Sequence, residues 1–407
     1  MRVSASVASA VLFAFSFGTA DSVLGDSPAP QKQLKTYPLP DNLNSADISP
    51  DEQWVVTEST TMADASNATT RTFTDVVQLW NFREDRLVSA FNAERVDVEA
   101  SPKGFFRNPA RGGHIVRYSP NGNLVVALIG QTIHVLRATD LYELRTIALV
   151  GPGNTTRTIH GHTVVNVPRV TAAEISPDGN AVAVLWVGEL LDGKIELYDL
   201  SSGRSIQSWN TPQGWVTFTK GLAWHPDGQL LLIAIPNETP CGSPNNEPDV
   251  FAFDVQTGNL KYKFSTGLLT VSIAVTADNR VLAVEGDCMG VLKDRNPKLR
   301  IFDLITGKHL RDVSGRETGV RYLVSASADG SRFLGFTGKM KTKFDWIDFV
   351  SNDAVVDRTF SVWNLNTYDE VVTSQDIPGL NPATIRLSSK GRYAVSVGKS
   401  SAVYELP

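Results

Sequence analysis

Seven times along this 407-residue chain an apolar residue runs into a short turn of one design. The copies are Ile48-Ser49-Pro50-Asp51, Tyr118-Ser119-Pro120-Asn121-Gly122, Ile175-Ser176-Pro177-Asp178-Gly179, Trp224-His225-Pro226-Asp227-Gly228, Val275-Thr276-Ala277-Asp278, Ala326-Ser327-Ala328-Asp329-Gly330 and Leu387-Ser388-Ser389-Lys390-Gly391. Pro presets φ, Asp or Asn bonds nearby backbone N–H groups and Gly accepts φ > 0, so each copy ends one strand and starts another. Spacings of 49 to 70 residues leave room for four strands and an insertion per copy, which is the layout of a propeller blade.

Residues 174–209 carry the unit in full. After the turn at Ser176, Ala181 to Val187 is continuously apolar, as an inner strand covered on both faces requires. Lys194 to Leu200 alternates polar and apolar, and a second tight turn at Ser201-Ser202-Gly203 leads into an outer strand ending at Trp209. A second series runs in phase with the first: Leu79-Trp80-Asn81-Phe82, Leu197-Tyr198-Asp199-Leu200, Phe251-Ala252-Phe253-Asp254, Ile301-Phe302-Asp303-Leu304 and Val362-Trp363-Asn364-Leu365. The expected fold is all-β: a seven-bladed β-propeller of four-stranded antiparallel blades.

The stretch Asp357-Arg358-Thr359-Phe360-Ser361-Val362-Trp363-Asn364 resembles the D-x-T-x-x-x-W-[DN] segment of the WD-repeat β-propeller family, and Asp192 to Asp199 resembles it with Tyr198 in place of Trp. The likeness covers roughly residues 33 to 407. Most blades lack the family's Gly-His pair at its usual distance from the turn: Gly161-His162 lies too far upstream and Gly113-His114 too close. The resemblance implies a fold and leaves the activity open. The last blade offers strands at 385–387, 393–397 and 402–406, so the expected donor of its fourth is Gln33 to Pro38, which would close the ring.

The N-terminal segment has one early charge at Arg2, an apolar centre from Val7 to Phe17 too short to span a bilayer, and small residues at Gly18-Thr19-Ala20 and Val23-Leu24-Gly25. The domain expectation is a cleavable signal peptide over residues 1–25, a linker over 26–32 and the propeller over 33–407, in a secreted or periplasmic protein that does not span the membrane. A formal net charge of −5 with no Lys/Arg run argues against nucleic acid as a partner. The two cysteines, Cys241 and Cys288, fall in corresponding loops of neighbouring blades. In an oxidising compartment they are expected to form a disulfide. Asn67, Asn154 and Asn237 head N-x-[ST] triplets in long loops.

In a propeller the first-to-second and third-to-fourth strand turns share one face, and here they are short. The remaining connections share the other face and hold the insertions, where binding function is expected. Candidate binding residues there are Phe344, Trp346 and Phe349, which alternate with charges in the blade-six insertion, Phe106 and Arg107 across the rim, and the loop pair His160 and His162. A metal site built on those histidines would need further ligands, such as His114 or Asp97. Asp64, Glu238, Glu285, Asp287 and Asp345 lie on the same face. No G-x-S-x-G elbow, H-E-x-x-H helix or phosphate-binding Gly loop is present, so no catalytic residue and no cofactor are assigned. The reading is a monomeric recognition scaffold taking a protein or peptide on its long-loop face. The alternative is a propeller hydrolase, lactonase or oxidoreductase with a small-molecule or metal site at the channel mouth, marked by a convergent cluster of carboxylates or histidines around a closed pocket.

Overall fold

In a computed structural model the chain forms seven four-stranded antiparallel sheets, with no helix among the described residues. The structure describes residues 34–62, 70–98, 113–153, 155–159, 162–166, 168–188, 193–212, 221–235, 247–267, 270–285, 299–313, 320–340, 355–374, 385–398 and 400–407. The first strands of the blades are Leu43–Ile48, Ile115–Tyr118, Arg169–Ile175, Leu222–Trp224, Thr270–Val275, Val320–Ala326 and Arg386–Leu387. Each contacts the first strand of the next blade, and the seventh contacts the first, so they line a closed central channel. The seven-bladed propeller expected from the turns is the fold.

Each blade-to-blade seam holds its own apolar cluster, and the second strands show why their sequences are apolar throughout. In Ala181–Val187, Val182, Val184 and Trp186 pack toward blade two, whereas Ala183, Leu185 and Val187 pack toward blade four. A period-two strand with both faces buried has no position left for a polar side chain.

The turns repeat in atomic detail. Ser176 Oγ donates to Asp178 Oδ1 at 2.5 Å and accepts the Ala181 N–H at 2.9 Å, while Gly179 sits at φ 76°. Ser119 with Asn121 and Ser327 with Asp329 reproduce the arrangement. In blade four His225 takes the serine position, with its Nδ1 2.8 Å from Asp227 Oδ1, so it is a turn residue as its place in the sequence implies.

Ring closure follows the expected route. Lys35–Pro38 pairs antiparallel with Ala402–Glu405 and becomes the outermost strand of blade seven. The Tyr37 hydroxyl donates to Glu405 at 2.8 Å, and the Phe82 ring of blade one lies edge-on between Tyr37 and Tyr393.

The structure redraws several long connections. In blade one, residues 57–62 and 70–74 carry little apolar alternation yet belong to the strands Val55–Met62 and Thr70–Asn81, and the outer strand Arg86–Val98 is longer still. The connection from Gly151 to Arg169 contains a two-stranded hairpin, Thr155–Ile159 with His162–Asn166. Polar, Thr-rich segments with little apolar alternation disguise these strands, which complete their ladders with backbone bonds.

Candidate functional site

The channel encloses about 700 Å³. Its wall is built by position: the residue two places before each turn serine or its equivalent is Asp47, Arg117, Glu174, Ala223, Ala274, Ser325 and Arg386 in blades one to seven, and all of these but Asp47 line the cavity. Four of the seven are charged, two of each sign, and because the repeats are in register they meet at one level of the channel, toward the tight-turn face.

Arg386 reaches across to Glu174 and bonds its Oε1 through Nη2. Arg117 Nε lies 3.8 Å from the same oxygen, so one carboxylate is shared by two guanidinium groups. Arg117 Nη1 donates to the Val116 carbonyl at 2.7 Å and to Ser45 Oγ at 3.3 Å, while Asp47 Oδ2 accepts the Tyr118 N–H at 2.8 Å. Burial, helped by the neighbouring Arg386 charge, brings the Arg117 guanidinium down to about 10 against the pull of Glu174 and Asp47. Burial raises the Asp47 carboxyl, and Arg386 and Arg117 oppose it. Arg117 Nε is buried with no hydrogen-bond acceptor. The Trp224 indole closes one side by donating to the Glu174 carbonyl oxygen at 2.9 Å.

A second constellation stands where the channel opens on the long-loop face. His114, directly before the first strand of blade two, brings Nδ1 to 3.1 Å from Glu58 Oε1 and 3.7 Å from Asp75 Oδ1. Antiparallel pairing aligns Glu58 with Val77 and Thr60 with Asp75 in blade one, which puts Glu58, Thr60 and Asp75 within one neighbourhood. Thr60 Oγ1 donates to Asp75 Oδ1 at 2.5 Å, and Asn44 Nδ2 donates to Thr60 Oγ1 at 2.8 Å and Glu58 Oε1 at 3.3 Å.

The residues singled out from sequence fare differently. Phe106, Arg107, His160, Cys241, Cys288, Phe344, Trp346 and Phe349 lie outside the described residues, as do Asn67, Asn154 and Asn237. His162 begins the hairpin strand paired with Ile159, and its side chain and that of Asp97 are likewise undescribed. His114 does join carboxylates, but those of Glu58 and Asp75, which sequence reasoning did not flag. The channel belt was missed too, although its signal was present in the repeat register: four of the seven first strands carry a charge two places before the turn serine.

No family model matches the chain, and no curated protein matches it. Among solved structures it is similar to hydrazine synthase of Kuenenia stuttgartiensis, with a TM-score of 0.50 and 12% identity over 73% of this chain and 76% of that one. That likeness carries the fold alone. No helix among the described residues is long and apolar enough to cross a membrane.

Proposed function

We propose that this is an exported binding protein whose central channel takes a small carboxylate-bearing ligand. The observation that carries the reading is Arg117 Nε, a buried donor with no acceptor, beside a Glu174 carboxylate already shared with Arg386. A buried guanidinium short of acceptors is matched by an incoming carboxylate, which offers two oxygens in the geometry of the guanidinium fork. A volume of about 700 Å³ suits a small molecule. The charge belt has no nucleophile paired with a base, so binding rather than catalysis is the reading it supports. Thermal unfolding of the purified protein against a panel of mono- and dicarboxylates tests this: one class should raise the midpoint in the native chain and not in Arg386→Gln. A panel that leaves both unchanged would sink the reading.

Export is supported by the sequence of residues 1–25. The mass of the protein from its native source should correspond to a chain starting after Ala20 or Gly25. Recognition of a protein on the long-loop face rests on the sequence around Trp346 and Arg107 alone. Trp346→Ala should then weaken capture of such a partner about tenfold or more while leaving the unfolding midpoint in place.

A further inference from the structure

We propose that Glu58, Asp75 and His114 bind a divalent transition cation of the zinc class at the long-loop mouth of the channel. The inference is independent of the carboxylate reading, which concerns the belt near the other end.

Three oxygen atoms crowd His114 Nδ1: Glu58 Oε1 at 3.1 Å, Thr60 Oγ1 at 3.5 Å and Asp75 Oδ1 at 3.7 Å, and Asn44 Nδ2 donates to the same Glu58 oxygen. One ring nitrogen carries at most one proton and can satisfy only one acceptor through it. Around a tetrahedral zinc with bonds of about 2.0 to 2.1 Å, neighbouring ligand atoms stand about 3.4 Å apart. The two separations of His114 Nδ1 from the carboxylates, 3.1 and 3.7 Å, bracket that value, and all three donor atoms lie within 4.8 Å of one another. A cation at their centre needs only small side-chain shifts.

Glu58 gives the second, independent sign. Its side chain is fully buried, yet Oε2 meets no hydrogen-bond donor. A buried carboxyl oxygen left without a partner is costly, and coordination is one of the few ways to meet it. The donor set of one imidazole and two carboxylates suits zinc, with the Thr60 hydroxyl or a water for the remaining position. The site draws on both blades of one seam: Glu58 and Asp75 belong to blade one, and His114 precedes the first strand of blade two. An ion there would tie the two blades together. His114 and Asn44 also line the channel, so the ion would be reached from the channel side.

The test is calorimetric titration of the chelator-stripped full chain with zinc alone, without any carboxylate ligand, so that its outcome is separate from that of the channel reading. The native chain should bind one zinc, and His114→Gln should weaken binding by about 100-fold or more, since even loss of an outer-sphere partner costs 10- to 100-fold. Glu58→Gln should do the same, and its unfolding curve shows whether it remains folded. If it does not fold, His114→Gln alone decides. Zinc binding unchanged in His114→Gln would place the metal elsewhere, for instance on His160 and His162, and overturn the proposal. So would absence of zinc binding.

Discussion

Glu52 of the first blade accepts a hydrogen bond from the Ser388 hydroxyl of the seventh at 2.7 Å, across the seam where the ring closes. Blade seven is the one whose turn, Ser388-Ser389-Lys390-Gly391, has Lys where other blades have Asp or Asn, so its serine finds no carboxylate within its own turn. Glu52 supplies it from next door: Oε1 accepts the Lys390 N–H at 3.3 Å, and Oε2 accepts Arg392 Nε at 2.5 Å. To do so Glu52 occupies, at φ 61°, the turn position that Gly fills in most other blades. A left-handed backbone at a non-glycine residue is tolerated here because its side chain closes the ring.

Glu52→Ala should therefore cost about 2 to 3 kcal/mol by losing charge-assisted bonds to a buried carboxylate. Glu52→Gly loses the same bonds but relieves the backbone, and should be less destabilising than Ala by roughly 1 kcal/mol. Denaturant unfolding of the two variants checks the order. Ala equal to or better than Gly would show that the turn is unstrained.

Removing residues 34–39 takes away the outer strand of blade seven and exposes the edge of Ala402–Glu405. The truncated chain should melt at lower temperature and aggregate in light scattering, since an unpaired edge is a template for intermolecular pairing. Full-length behaviour from the truncated chain would mean that closure is carried by the Glu52 contacts and the seam core alone.

Acid should attack the turns first. Asp199 is held down at about 2 by the Ser201 and Ser202 hydroxyls and the Ser202 N–H, and Asp178, Asp254, Asp303 and Asp329 are lowered as well. A carboxyl depressed in the folded state contributes stability that is complete above its unfolded value, near 4, and is lost as pH falls toward its folded one. Asp249 and Asp47 shift the other way, raised by burial, so their contributions favour the folded state as pH falls. With the depressed set the larger, stability should be flat above about pH 5 and fall steeply between about pH 4 and 2. Asp199→Asn should lower stability at pH 7 and flatten the acid limb. An acid limb of unchanged slope in that variant would contradict the assignment.

If export holds, Cys241 and Cys288 meet an oxidising compartment, and a bond between them should protect both from alkylation until reductant is added. Mass analysis showing both modified without reductant would exclude that bond.

The fold was legible because the signals that specify blades are local. Ser-x-Asp turns, Gly at positive φ and continuously apolar second strands are each written within a few residues and repeat in phase. Tertiary partnerships were harder to read. Glu52 looks like a solvated turn residue until the ring closes beside Ser388, and Glu58 and Asp75 look like ordinary charges in a polar strand pair until His114 arrives from the next blade. The Tyr198 substitution was visible, but not its consequence: its hydroxyl and the Trp186 indole both donate to Glu196 Oε2, at 2.7 and 2.9 Å. In blade one Trp80 Nε1 instead donates to Thr57 Oγ1 at 3.3 Å. The charge belt was the one tertiary feature within reach, because aligning the seven turns already stacks Asp47, Arg117, Glu174 and Arg386 in one column.

The channel reading is tested most directly by following the Arg117 Nε–H resonance in protein labelled with ¹⁵N-arginine, assigned by its disappearance in Arg117→Lys. Titration with the carboxylate that most raises the unfolding midpoint should move that signal saturably, with the same midpoint as the binding isotherm. A ligand that binds while the Arg117 Nε–H resonance stays in place would contradict the account, since the donor on which it rests would have remained without an acceptor.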